Sequence, residues 1–143
     1  MTHTEHDFAS HIREQGFRMT PQRELILEAV CAGGGHTTVE EIYERLHAKA
    51  PAINRSTVYR TLEFLQAMRL IVAAEIDGHW VYEIAHEQPH HHLHCQVCGG
   101  NTEISQEALA SAYAAIGRQH GFRIDADHLV LNGTCRRCQE QQL

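Results

Sequence analysis

Residues 53–84 read "INRSTVYRTLEFLQAMRLIVAAEIDGHWVYEI", and a change of period inside this stretch decides the fold. Up to Met68 the apolar residues Val58, Leu62 and Leu65 recur at helical spacing behind Asn54, a residue that caps helices well. The opposite face carries Arg55, Thr57, Tyr59, Arg60 and Thr61. After Met68 the pattern turns extended. "LIVAAEI" and "HWVYEI" are rich in β-branched and aromatic residues, and Asp77-Gly78 between them is a strong two-residue hairpin signal. Helices followed by a hairpin give the winged-helix order, in which the last helix enters the DNA major groove and the hairpin lies beside the backbone.

Upstream, the punctuation is equally clear. "DFASHIREQ" (7–15) sets Phe8 and Ile12 four apart before Gly16, a helix stop. Thr20 caps the next helix and Pro21 suits its first position. Leu25, Ile26, Ala29 and Val30 make its stripe, and Gly33, Gly34 and Gly35 end it. Thr38 and Glu41 form a capping box ahead of Val39, Ile42, Tyr43 and Leu46, and Pro51 closes that segment. Cys31 stands alone and reads as a small buried hydrophobe.

Downstream, composition shifts at "HEQP" (86–89), which predicts a winged-helix domain over 1–85 and a second unit over 86–143. "HHHLHC" and "NTEIS" read as strands, "QEALASAYAAIGRQHG" as a helix closed by Gly121, and "FRIDADHLVLNGTC" as a third extended segment. The overall class is α+β: an N-terminal winged helix followed by a small α/β domain.

The second unit holds the metal chemistry. Residues 86–98, "HEQPHHHLHCQVC", pack five histidines and two cysteines into thirteen positions. Cys95-x-x-Cys98 and Cys135-x-x-Cys138 supply four thiolates, and two such pairs close a tetrahedral sphere, the structural zinc pattern. The 36 residues between the pairs exceed a usual zinc-ribbon loop, so the ion ties the chain end back onto a sheet. The histidines need a second account, because four cysteines already saturate one ion. On a strand His90 and His92 share a face and His91 points the other way. Glu83, just before the turn between units, offers a third leg. Imidazole with carboxylate and no thiol suits iron, manganese or zinc.

At 143 residues, with 43% hydrophobic, 6% aromatic and 21% charged residues, the chain is a folded globular protein of one or two small domains. It lacks a run of eighteen apolar residues and the N-terminus lacks the order of a secretory signal, so no membrane partner and a cytoplasmic location are expected. In that compartment cysteine pairs bind metal more readily than they form disulfides. The net charge of −6 argues against nucleic acid only as a sum. From Arg45 to Arg69 five basic residues (Arg45, Lys49, Arg55, Arg60, Arg69) stand against Glu63 alone, so a basic face is compatible with the acidic total.

Together "GFRMTPQRELIL", "HTTVEEIYERL", "STVYRTLEFL", "PHHHLHCQVCG" and "HGFRIDADHLVLNGTC" resemble the ferric uptake regulator family of metal-sensing transcriptional repressors, over nearly the whole chain. The resemblance implies a homodimer that binds AT-rich inverted repeats in double-stranded DNA when metal-loaded, and no organic small-molecule substrate. It assigns Cys95, Cys98, Cys135 and Cys138 to a structural zinc. It assigns His36, Glu83, His90 and His92 to a regulatory ion shared between the domains, with Glu103 at the position of a further carboxylate ligand. It matches Tyr59 and Arg60, with Arg55 and Thr57 beside them and Arg23 of "TPQR", to positions that meet DNA.

The chain departs from the family pattern in two places. At a second histidine and carboxylate site His91 is kept, but Pro89, Ala110 and Asp127 stand where ligands are expected; His128 is a candidate substitute. Peroxide-sensing members have aspartate where Glu83 and Glu103 stand, and zinc-sensing members commonly add a hinge cysteine, absent between Cys31 and Cys95. The resulting expectation is a non-enzymatic repressor answering to Fe(II), with Mn(II), Zn(II), Ni(II) and peroxide as alternatives. A zinc hydrolase built on His90, His92 and Glu83 would need a general base and a cleft, and no HExxH-type helix is present. A metal-storage module would bind metal but no specific DNA.

Overall fold

The computed structural model describes residues 5–85, 90–125 and 128–142, with side chains described in the first helix from Phe8 onward. The elements run α1 (Glu5–Glu14), α2 (Pro21–Cys31), β1 (Thr37–Thr38), α3 (Val39–Lys49), α4 (Arg55–Ala67), β2 (Ile71–Ile76), β3 (His79–Ile84), β4 (His90–Cys95), β5 (Asn101–Ser105), α5 (Glu107–His120), β6 (Val130–Gly133) and α6 (Arg136–Gln141). The chain divides into two compact units: Met1–Ala73 with Trp80–Ala85, and Ala74–His79 with His86–Leu143.

The first unit is built on its caps. Thr20 accepts from the Arg23 N–H, Asn54 from Thr57, and the Thr38/Glu41 capping box is complete. These side chains satisfy N–H groups that each helix leaves unbonded. The stripes they start converge on Ile12, Ile26, Ile42, Leu46, Val58, Leu62 and Leu65, all buried. Truncating one of them, such as Ile42→Ala, costs about 2–5 kcal/mol by lost transfer energy and the cavity left behind. The β2–β3 hairpin turns at Asp77 and Gly78, with φ of 52° and 78°, as a two-residue turn with positive φ at both positions requires.

Four features of this unit differ from the sequence reading. Thr37–Thr38 form a short strand at the edge of the hairpin, giving the order β1-β3-β2 with Thr37 opposite Tyr82 and Thr38 opposite Val81. Thr37 is fully buried there, donating to Glu41 Oε2 at 3.0 Å and accepting from Arg45 Nη1 at 2.7 Å; Arg45 also donates to the Ala29 carbonyl. Arg45 is therefore a structural cation and not part of a solvated basic face. A Cβ at Gly33 would come within 2.8 Å of Thr37 Cβ, so the glycine run allows this approach as well as ending α2. Thr61, expected on the polar face, is buried with the core side of α4, and Cys31 is exposed where burial was expected.

The second unit has a sheet in the order β5-β4-β6, with β5 antiparallel and β6 parallel to β4. Among the described residues of the expected third extended segment, Val130–Gly133 form the strand. Helix α6 was not anticipated, because six residues carry too little apolar periodicity to show. Among the described residues, those buried in this unit are Ala74, His90, His91, His92, His94, Cys95 and Cys138, and α5 buries none of its own. A unit whose interior is imidazole and sulfur lacks the apolar burial that stabilises the first, so it depends on other attachments.

Candidate metal centres and nucleic-acid interface

The cysteine group is assembled by two tight turns. Cys95 ends β4, the chain turns back with Gly99 at φ 73°, and the Gly99 N–H donates to the Cys95 carbonyl at 2.9 Å. Cys135 caps α6 and Cys138 lies one turn along it, so both sulfurs reach the same side. All four Sγ atoms lie within 4.8 Å of one another, and Cys98 Sγ is 3.9 Å from Cys135 Sγ. Zinc–sulfur bonds of about 2.3 Å in a tetrahedron separate sulfurs by about 3.8 Å, so the group fits a zinc ion with little adjustment.

The electrostatics agree with thiolate ligation. Cys95 Sγ accepts the Cys135 N–H at 3.3 Å; that bond, with those from Cys98 and Val97, brings its thiol down to about 6. The hydrogen bond that the Cys138 thiol donates to Cys135, and then burial, push Cys138 up to about 12. Four sulfurs without a cation cannot all ionise together. The Arg137 guanidinium is held charged, first by its hydrogen bond to Cys98, and supplies a compensating cation that the sequence reading missed.

The histidine and carboxylate residues form one cluster in each unit. In the first, the β1–β3 register carries one step further to set residue 36 against residue 83. His36 Nε2 lies 3.4 Å from Glu83 Oε2, and the Glu83 carboxylate is buried. The unanticipated strand β1 is therefore what brings these two expected residues together. In the second, His90 and His92 share one face of β4, ring centroids 4.8 Å apart. His128, preceding β6, stacks edge-on against both, at 5.3 Å and 4.8 Å. Glu103 stands opposite His92 on β5 and is exposed.

His91 points the other way, as strand alternation requires, with its ring 6.0 Å from that of Tyr113 on α5. Its Nδ1 accepts the Leu129 N–H at 3.0 Å, so only Nε2 remains for any other partner. Ala110 is exposed on α5, while Pro89 and Asp127 fall outside the described residues. Among the other histidines, His94 Nε2 donates to Asp77 at 3.0 Å and His11 Nε2 to the Met68 carbonyl at 2.8 Å, both structural bonds.

On α4, Tyr59 is 46% exposed, Arg55 and Arg60 are exposed and Thr57 is half-buried behind them. Arg55 lies over the Tyr43 ring at 4.6 Å and near Glu40 at 3.6 Å. Arg60 Nε donates to the Ser56 carbonyl. Arg23 sits 3.7 Å over the Phe64 ring and donates to the Arg18 carbonyl at 2.6 Å, which fixes its guanidinium at the start of α2. Trp80, 56% exposed on β3, adds an aromatic surface to the hairpin.

The model of the ferric uptake regulator family matches residues 14–132. The chain belongs to the ferric uptake regulator family. It is 32% identical to the ferric uptake regulation protein of Synechococcus elongatus, over 97% of both chains. The ferric uptake regulator of Pseudomonas aeruginosa, solved with manganese, superposes with a TM-score of 0.68 at 29% identity, covering 89% of this chain and 96% of that one. A zinc uptake regulator complexed with zinc and DNA has the same fold, with a TM-score of 0.70 at 21% identity over 97% of each. The protein is thus a metal-responsive transcription regulator of this family, with an α+β architecture.

Proposed function

We propose that this ferric uptake regulator family member is a homodimeric repressor that binds an AT-rich inverted repeat when a regulatory ion, Fe(II) in the cell, is loaded. The observation that carries this is the division of the non-thiol ligands. His36 and Glu83 lie 3.4 Å apart in one unit, and His90 and His92 have ring centroids 4.8 Å apart in the other. A single ion taking ligands from both pairs, with Glu103 as a further carboxylate, fixes one unit against the other and so sets the spacing of two α4 helices in a dimer. The donor set is nitrogen and oxygen without sulfur, which favours iron or manganese more than a thiolate-containing set does. The four cysteines hold zinc permanently.

Tyr59 meets a thymine methyl and Arg60 a guanine edge or phosphate, with Arg55, Thr57 and Arg23 on the backbone. For the dimer, the second unit offers exposed apolar side chains at Leu93, Ile116, Phe122 and Leu131, together with α5, which is without buried residues. The test is fluorescence anisotropy on an AT-rich inverted-repeat duplex, with zinc-retaining protein titrated anaerobically with Fe(II), Mn(II) and Zn(II) at fixed salt. Salt is fixed because phosphate contacts alone shift affinity by orders of magnitude. Tight binding only with added metal, strongest for Fe(II) at buffered free concentrations, is expected; binding indifferent to metal on every duplex overturns the proposal.

A further inference from the structure

The strand register singles out one residue that the family match leaves without a role. β6 runs parallel to β4 with Val130 opposite His92, and the His92 N–H donates to the Leu129 carbonyl at 2.8 Å. Two residues before Val130 is His128. Its ring lies edge-on against those of His90 and His92, at 5.3 Å and 4.8 Å, so it stands on their face of the sheet and not on that of His91. A shift of one residue changes the face. His128 is therefore not a substitute ligand beside His91; its ring lies against the other pair.

The spacing has a chemical meaning. A metal–nitrogen bond of about 2.1 Å sets an imidazole centroid about 3.2 Å from the ion, so two ligated rings lie about 4.5 Å apart at a right angle and about 5.2 Å apart at a tetrahedral angle. The three centroid separations are 4.8, 5.3 and 4.8 Å. Ligand atoms of His92 and His128 lie within 4.8 Å of one another. All three rings are largely or partly buried, in the unit whose interior is otherwise poor in apolar side chains.

We infer that His128 is a ligand of the regulatory ion, completing with His90 and His92 a three-imidazole face contributed by the second unit alone. This rests on the reading that His90 and His92 hold that ion. A third imidazole makes the face a site for a borderline divalent ion such as Fe(II), Co(II), Ni(II) or Zn(II), and weakens its preference for Mn(II), which favours oxygen. It also lets the second unit capture the ion before His36 and Glu83 engage it.

Co(II) is the probe, added to full-length dimer that retains its spectroscopically silent zinc in the cysteine site. Affinity is read by competition with a chelating dye and coordination by the ligand-field spectrum. His128→Ala is expected to weaken Co(II) by about 10–100-fold, at least the loss typical of removing a ligand's supporting partner, and to shift the ligand-field bands. His128→Cys is expected to bring in a sulfur-to-cobalt charge-transfer band that wild type lacks. If His92→Ala abolishes Co(II) binding while His128→Ala leaves affinity and spectrum unchanged and His128→Cys shows no new band, the inference falls and the regulatory reading stands. If His92→Ala also leaves Co(II) binding unchanged, the regulatory reading falls with it.

Discussion

The two ligand groups of this chain are built in opposite ways. The four cysteines lie in one unit, in two turns whose sulfurs stand a tetrahedral edge apart, 3.9 Å between Cys98 and Cys135. The histidines and Glu83 are divided, a 3.4 Å pair in one unit and a cluster of three rings in the other. A closed group with soft ligands holds zinc permanently and contributes folding energy; a divided one of harder ligands binds more weakly and links occupancy to arrangement. On the proposed reading, one metal is structure and the other is signal.

The largest test of that contrast removes the closed group. Zinc extraction, or Cys98→Ser, is expected to unfold the second unit, because binding a structural zinc is worth about 10 kcal/mol or more at neutral pH. Amide exchange should then lose the protection of β4–β6 while α2–α4 keep theirs; a second unit still protected without zinc would break the distinction. Loading zinc into the reduced metal-free protein near neutral pH should expel protons, because the thiols of an unfolded unit, at about 8.5, are largely neutral there and must ionise to bind. Calorimetry in buffers of different ionisation enthalpy counts them.

Removing the divided group should leave the fold intact. His90→Ala/His92→Ala is expected to abolish the metal response of DNA binding, at least about 100-fold, or about 2.7 kcal/mol. Elemental analysis should still find one zinc per chain. Loss of that zinc as well would mean the two groups are not independent.

Tyr59→Ala should act downstream of both, lowering operator affinity by about tenfold, in the range of a lost base-edge contact, without changing metal affinity. Anisotropy and dye competition on the same variant separate the two effects. The smallest effect belongs to Thr38→Ala, which removes a capping-box oxygen and should cost the first unit about 1 kcal/mol, read by denaturant melts. Glu41 adds a pH dependence to the stability of this unit. The Thr38 backbone N–H and then the Thr37 hydroxyl hold Glu41 below the usual carboxylate range, so its share of stability is present above that range. It is lost as pH falls through the lowered value in the folded state. Both of those bonds survive in Thr38→Ala, so wild type and variant should lose this share together as the pH falls.

Much of this was legible because its signals are local. Asn54, Thr20 and the Thr38/Glu41 box start helices where the structure has them, and Asp77-Gly78 turns the hairpin. The Cys-x-x-Cys pairs needed only their spacing, and the alternation of His90, His91 and His92 needed only the strand period. Arg45 and Cys31 were misread because burial is set by what packs opposite, and one residue's neighbours in sequence do not contain that information. Strand β1 and helix α6 are too short for periodicity to show.

Sequence by itself determined the long helices with their caps, the hairpin and the pairing of ligands on one strand face, since each follows from side-chain type and from periods of 2 or 3.6 residues. Only tertiary structure decided which distant residues meet. Ladder registers bring Glu83 to His36 across β1 and β3, and His128 to His90 and His92 across β4 and β6. The physical reason is that register is set by hydrogen bonds between strands far apart in the chain, and a one-residue shift in it exchanges every ligand for a side chain on the opposite face.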